Sequence, residues 1–347
     1  MIGVTIALVA GPSSSAFAAD DAGIIETILE DAAQGTNDGD AIVADVDDVT
    51  ATIPLDVSEP LTLQADGGAE ILMSLPASSG MSAVDADAAA VTHVLDDGSS
   101  ILPLVRSNGV LQVLSVIPDD ASPASFVYGL TAGEGSSLVA LSDGSVELVD
   151  AAGEPVAVVA APWATDAAGK TIETWFTTDG GWLTQVVDLE AAGDVTYPVV
   201  ADPAASVTYT KYTATDVSKT YNWTNKSKQI GICKVLSGAG GGTCSISNSY
   251  SVSTSIQTSL GASVSDVSAS IGFNSSKTVT GTITWTSGEA PVGSSFKAWA
   301  TGTRATYKVQ KWTGTKLLGQ KNVNWRVVST SGTLTAFSPV VGFSVGQ

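Results

Sequence analysis

Between Ser245 and Trp285 the chain alternates hydroxyl-bearing and large apolar residues for far longer than an ordinary strand needs. On the first limb Ile246, Tyr250, Val252, Ile256, Leu260 and Val264 share one side, and Ser245, Ser247, Ser249, Ser251, Ser253, Ser255, Ser259 and Ser263 share the other. The phase changes around Ser265-Asp266, after which Val267, Ala269, Ile271, Phe273, Val279, Ile283 and Trp285 repeat the pattern. Successive side chains of a strand point to opposite faces, so this period of two predicts a long antiparallel hairpin with one apolar and one hydroxyl face. Strands usually run about five or six residues. Away from the tip, Lys277 is the one charged residue in the segment.

Two packings satisfy such a pattern. One is a soluble sandwich in which any half-buried sheet alternates in this way. The other is a membrane barrel assembled from several chains, because a crossing takes about 9–11 tilted residues with lipid outside and water within. Within residues 206–310 the Ser/Thr-rich amphipathic pattern resembles the insertion hairpin of aerolysin-like pore-forming proteins. That resemblance implies an elongated β-domain against which the hairpin lies until the chain forms a homo-oligomer.

Charge divides the chain near the same place. Residues 1–205 hold 32 acidic residues against two basic ones, Arg106 and Lys170, while residues 206–347 hold 13 basic residues against Asp216, Asp266 and Glu289. The first part therefore carries −30 and the second +10. An acidic solubilising region beside a basic domain explains this, as does an acidic pro-region that shields the basic part until delivery.

Residues 1–18 read as a signal peptide: an apolar run from Ile2 to Ala10, a break at Pro12, and small residues at Ala16 and Ala18 before the cut, though no Lys or Arg precedes the run. The expected location is extracellular. Residues 19–50 read as a short helix, Ala22 to Gln34, capped by Asp20 or Asp21 and followed by an acidic linker. The linker aspartates Asp38, Asp40, Asp45, Asp47 and Asp48 lack the loop glycine and closing glutamate of an EF-hand, so no metal site is expected. Residues 51–205 read as an acidic β-sandwich. Asp97-Gly98, Asn108-Gly109, Asp143-Gly144 and Asp179-Gly180 are hairpin dipeptides between β-forming runs such as Val110 to Ile117. The expected fold class is thus all-β: an N-terminal sandwich, then a basic β-domain over 206–347 built around the long hairpin.

The stretch Pro162-Trp163-Ala164-Thr165-Asp166-Ala167-Ala168-Gly169, the hairpin through Leu183 to Asp188, and the closing Tyr197-Pro198-Val199-Val200-Ala201-Asp202-Pro203 resemble a module of secreted actinobacterial proteins. The resemblance covers about residues 90–203 and implies export and a β-sandwich. It brings no catalytic residues, and Asp166 and Asp202 are expected to fix turns.

Cys233 and Cys244 flank the Gly-rich run Gly238 to Gly242 and are expected to form one disulfide closing a surface loop. Catalytic chemistry finds little to work with. His93 is the single histidine and lies in a strand-like stretch, no GxSxG elbow occurs, and the Gly-rich run lacks the Lys-Ser/Thr of a phosphate loop. No catalytic residue, cofactor or metal is therefore expected. Lys308, Lys311, Trp312, Lys316, Lys321, Trp325 and Arg326 form a basic-aromatic region suited to an anionic envelope polymer, a glycan or a membrane surface. No nucleic-acid module is present. The expected function is that of a secreted, non-enzymatic β-protein that binds an extracellular surface, envelope polymer or partner protein; the alternative is a pore-forming effector with residues 245–285 as its insertion hairpin and the acidic half as pro-region.

Overall fold

The computed structural model describes residues 22–66, 68–76, 82–86, 90–238 and 240–347. The expected signal segment and the caps at Asp20 or Asp21 lie outside the described residues. Among the described residues the chain is all-β, with three short helices. It divides into two compact units: residues 1–209 with 314–324, and residues 210–313 with 325–347.

In the first unit, two antiparallel sheets close on one apolar core. One sheet runs in the order Thr36–Asn37, Ala41–Val46, Val49–Pro54, Leu61–Ala65, Glu70–Ser74, Ser125–Thr131, Trp182–Val187, Thr174–Asp179. The other includes Ser137–Ala140, Val146–Val149, Pro155–Val159, the start of Ala204–Lys234, Leu111–Ile117, Ser100–Val105, Val91–Val94 and Ser82–Ala86. Ile53, Leu63 and Met73 from the first sheet and Ile101, Val113 and Val159 from the second lie in the same buried cluster, which makes this unit a sandwich. All four predicted hairpin dipeptides join paired neighbouring strands, and Gly98, Gly109, Gly144 and Gly180 each take a positive φ. Asp97 and Asp143 reinforce their turns by accepting hydrogen bonds from the Ser99 and Ser145 amides.

The helix is Ala22–Glu30, shorter than expected. It packs Ile25, Ile28 and Leu29 against Leu102, Leu104, Leu114 and Val116 on the outer side of the second sheet. Arg106 holds its C-terminal end by donating to the Ile28 carbonyl and pairing with Asp31 at 2.9 Å.

Residues 35–50 are not a linker. They contribute the strands Ala41–Val46 and Val49–Pro54, with Ile42, Ala44, Val49, Ala51 and Ile53 buried and Asp45 and Thr50 outward. The aspartates that suggested a solvated connector sit on the wet face or at turns. The expected boundary at 205/206 also shifts, because 314–324 belongs with the first unit. Ser206 donates to the Lys316 carbonyl, the Asn108 amide donates to the Leu317 and Gln320 carbonyls, and Lys316 pairs with Asp47 at 2.8 Å.

The second unit is built on long strands. Ala204–Lys234 runs 31 residues, most of them in this unit, and Ser295–Lys316 runs 22. Asp216 and Asn222 adopt positive φ along the first of these. Leu334–Gly346 pairs antiparallel with Ser295–Lys316. Ordinary strands, at about five or six residues, are less than a fifth of the longest length seen here.

Candidate functional site

The alternating segment forms a hairpin at its base and something else at its tip. Ser245–Ser253 pairs antiparallel with Thr278–Thr286 in unbroken register from Ser245↔Thr286 to Ser253↔Thr278. Among the described residues these two strands form a two-stranded sheet of their own. Ile246, Tyr250, Val252 and Ile283 are buried in one cluster with Ala298, Ala300 and Phe337, and Trp285 packs at its edge beside Phe296. Val279 is buried on the same face. The opposite face is exposed and carries Ser245, Ser247, Ser249, Ser251 and Ser253 against Thr278, Thr280, Thr282, Thr284 and Thr286. Ser245 with Thr286 and Ser253 with Thr278 hydrogen-bond across the strands at 2.8 Å. Gly281 sits opposite Tyr250, where a Cβ would meet the Tyr250 ring at 2.8 Å, so glycine lets the ring lie flat there.

Side chains, not a shared ladder, hold this hairpin down. Asn248 donates to the Ile230 carbonyl, and the Tyr250 hydroxyl accepts from the Gly342 amide. Burying Ile246, Tyr250, Val252 and Ile283 at about 1.5–3 kcal/mol each contributes roughly 6–12 kcal/mol. Cys233 and Cys244 are bridged, with Cα atoms 6.0 Å apart, and this ties the base of the hairpin to the long strand.

The predicted continuation of both limbs does not occur. Ser255–Ile256 pairs instead with Ala336 and Phe337, and Leu260 takes a left-handed φ of 61° before Gly261. Val264–Ile271 is a helix, so Val264, Val267 and Ile271 lie on helical spacing, and Phe273 follows its end. The cause is local. Ser263 and Asp266 form a reciprocal capping box, and Gly272 closes the helix in the αL conformation. Val267 and Ile271 then pack against Ala305, Tyr307 and Val309, with Phe273 and Ile256 at the rim, while Val264 is exposed. The change of phase at Ser265-Asp266 marks the first turn of a helix and not the tip of a hairpin.

The basic-aromatic residues are divided between the two units. Lys316 is buried and paired with Asp47 in the first unit, so it is no surface-binding residue; its aliphatic stem is covered, as its place among sandwich strands requires. Lys321 is exposed in the same unit. In the second unit Lys308 pairs with Asp216 at 3.0 Å, and Lys311 and Trp312 are half-buried. The Trp312 indole donates to the Thr213 hydroxyl, and Lys211, missed in the sequence, lies 3.9 Å from the Trp325 ring and 5.5 Å from that of Trp312. Arg326 follows on the exposed side of its strand.

The two motif stretches of the first unit meet: Trp163–Asp166 pairs with Val199–Asp202, which also pairs with Leu111–Ile117. The Asp166 carboxylate accepts from the amides of Ala168, Lys170 and Thr196. Burial pushes its pKa upward, but these donors outweigh that and leave it below the ordinary value. It fixes a turn, as expected. Asp202 is instead a buried strand residue that accepts from the Gln112 side-chain amide, while the Gln112 carbonyl oxygen has no partner among the described residues. Burial pushes its pKa up to about 7. His93 is fully buried in Val91–Val94 with neither ring nitrogen partnered among the described residues, and burial lowers its pKa. Compared with protein-family models and with curated proteins, the chain matches none.

Proposed function

We propose that this is an exported, non-enzymatic, membrane-active protein of the pore-forming kind, in which residues 245–286 insert as a hairpin and several copies close a barrel. The observation that carries the reading is the two-stranded sheet Ser245–Ser253/Thr278–Thr286, whose apolar face is buried, whose hydroxyl face is wet, and which shares no ladder with another strand. Releasing these two strands breaks no ladder to a third strand; beyond side-chain burial, freeing 245–286 gives up the short pairing of Ser255–Ile256 with Ala336 and Phe337. A bilayer would return that burial to the same apolar face and leave the hydroxyl face toward a water-filled lumen. Nine residues on each strand match the roughly 9–11 of a tilted crossing.

Placing one glutamate on the wet face tests this without touching the buried one. Ser251→Glu lies on the exposed side, so the soluble fold should tolerate it. With the full chain on planar bilayers, wild type should conduct, and Ser251→Glu should conduct with a shift toward cation selectivity because the carboxylates ring the lumen. Failure of the wild type to conduct or to release vesicle dye refutes the reading, as does conductance with unaltered selectivity.

A second reading, a module that binds an anionic envelope polymer or glycan, is favoured by Lys211 lying between Trp312 and Trp325. It predicts retention on such polymers that is lost in Trp325→Ala, with no conductance at any protein concentration.

A further inference from the structure

Ile232, Lys234 and Leu236 recur at two-residue spacing where the longest strand of the second unit ends, while Cys233 packs against the hairpin cluster and Val235 is buried. Alternation therefore turns the first three outward together. Ile232 is 55% exposed and Leu236 is 78% exposed. The Val235 amide donates to the Ser294 carbonyl at 2.9 Å, and the Gly293 amide donates to the Val235 carbonyl at 2.8 Å. One residue beyond these bonds stand Leu236 on one segment and Val292, 53% exposed, on the other. The Cys233–Cys244 bridge and the paired bonds between Gly242 and Ala290 hold this end in place. Lys228, Lys234 and Lys297 are exposed in the same segments, where Glu289 is the one carboxylate.

Resting on the membrane-active reading, we propose that this end of the second unit, Ile232, Leu236 and Val292 with Lys234 and Lys297, is the surface on which the protein docks to an anionic lipid bilayer. Three exposed aliphatic side chains suit the interfacial zone of a bilayer, where their burial drives binding, and lysines beside them meet lipid phosphates. A glycan or envelope polymer would find no stacking ring and few hydrogen-bonding groups on those side chains. A second copy would set lysine against lysine, and the unit as a whole has eleven basic against three acidic residues.

The test measures binding apart from release, by sedimenting the full chain with vesicles of phosphatidylcholine with or without phosphatidylserine. Leu236→Gln with Val292→Gln should lower partitioning by about tenfold or more on both vesicle types. Lys234→Gln with Lys297→Gln should lower it by about fivefold per lysine, and on the phosphatidylserine vesicles alone. All four positions are exposed, so circular dichroism and thermal unfolding should match wild type. Unchanged partitioning of either double variant, no vesicle binding by wild type, or retention of wild type on a soluble polyanion but not on lipid overturns the docking surface. Residue-dependent binding without conductance leaves this surface standing and removes the pore. Conductance with unaltered binding by the variants does the reverse.

Discussion

The Asp202 carboxyl is buried between Gln112 and the Trp163 strand, and its folded-state pKa stands near 7 against an ordinary 3.8. The folded protein therefore holds this proton more tightly than the unfolded chain does. By linkage, the stabilisation is fully present below about pH 4, declines by ~1.4 kcal/mol per pH unit as the pH rises, and is gone above about pH 7. A shift of about three units puts the whole effect on the order of 4 kcal/mol. Asp202→Asn has no proton to lose, and turning the Gln112 amide over lets its carbonyl oxygen accept from the new Asn amide. Urea unfolding of wild type and variant at matched pH isolates this group from every other that titrates. The variant should gain on wild type as pH rises, by roughly 2–4 kcal/mol between about pH 4 and pH 8. A stability difference that stays flat with pH, or that favours wild type increasingly at alkaline pH, would refute the reasoning.

Two further changes probe the second unit. Ile283→Ala empties a fully buried site under the hairpin and should cost about 2–5 kcal/mol, read from the urea midpoint of the full chain. Replacing Cys233 and Cys244 together by serine removes a link across 11 positions and should cost roughly 3 kcal/mol by loop-closure entropy. Wild type in reductant should then unfold at the same urea concentration as the variant.

Much of the sandwich was legible in the chain because its turns are chemically specified. Asn-Gly and Asp-Gly dipeptides supply the positive φ that hairpin turns need, and the flanking β-formers do the rest. Misreadings arose where two local rules met. In 35–50 the aspartates read as a solvated run, yet alternate positions from Ile42 to Ile53 are apolar and fill the core. Lys316 read as surface because lysine usually is; its partner Asp47 lies 269 positions away, and spacing cannot show that. Lys211 escaped notice for the same reason, since its tryptophans are about a hundred residues distant in the chain and meet it only through strand pairing.

The helix Val264–Ile271 is the most instructive case, because both periods are written into one segment. Val264, Val267 and Ile271 fit a helical stripe, and a capping box and an αL glycine bound it. Yet Ile256, Leu260 and Val264, then Val267, Ala269, Ile271 and Phe273, also continue the alternation of the flanking strands, in phase with Ile246 on one limb and Ile283 on the other. The observed fold uses that alternation at 245–256 and 278–286 and has no need of it between. Helix stability here is modest: eight residues is short for an isolated helix, and loss of the Ser263 cap would cost about 1 kcal/mol. This fold accounts for Ile256, Val267, Ile271 and Phe273, which pack in its own cluster, but gives no comparable reason for the exposed Val264 and Ala269 to keep the same phase. A second state in which the whole of 245–286 is extended gives such a reason, and the proposed barrel is a state of that kind.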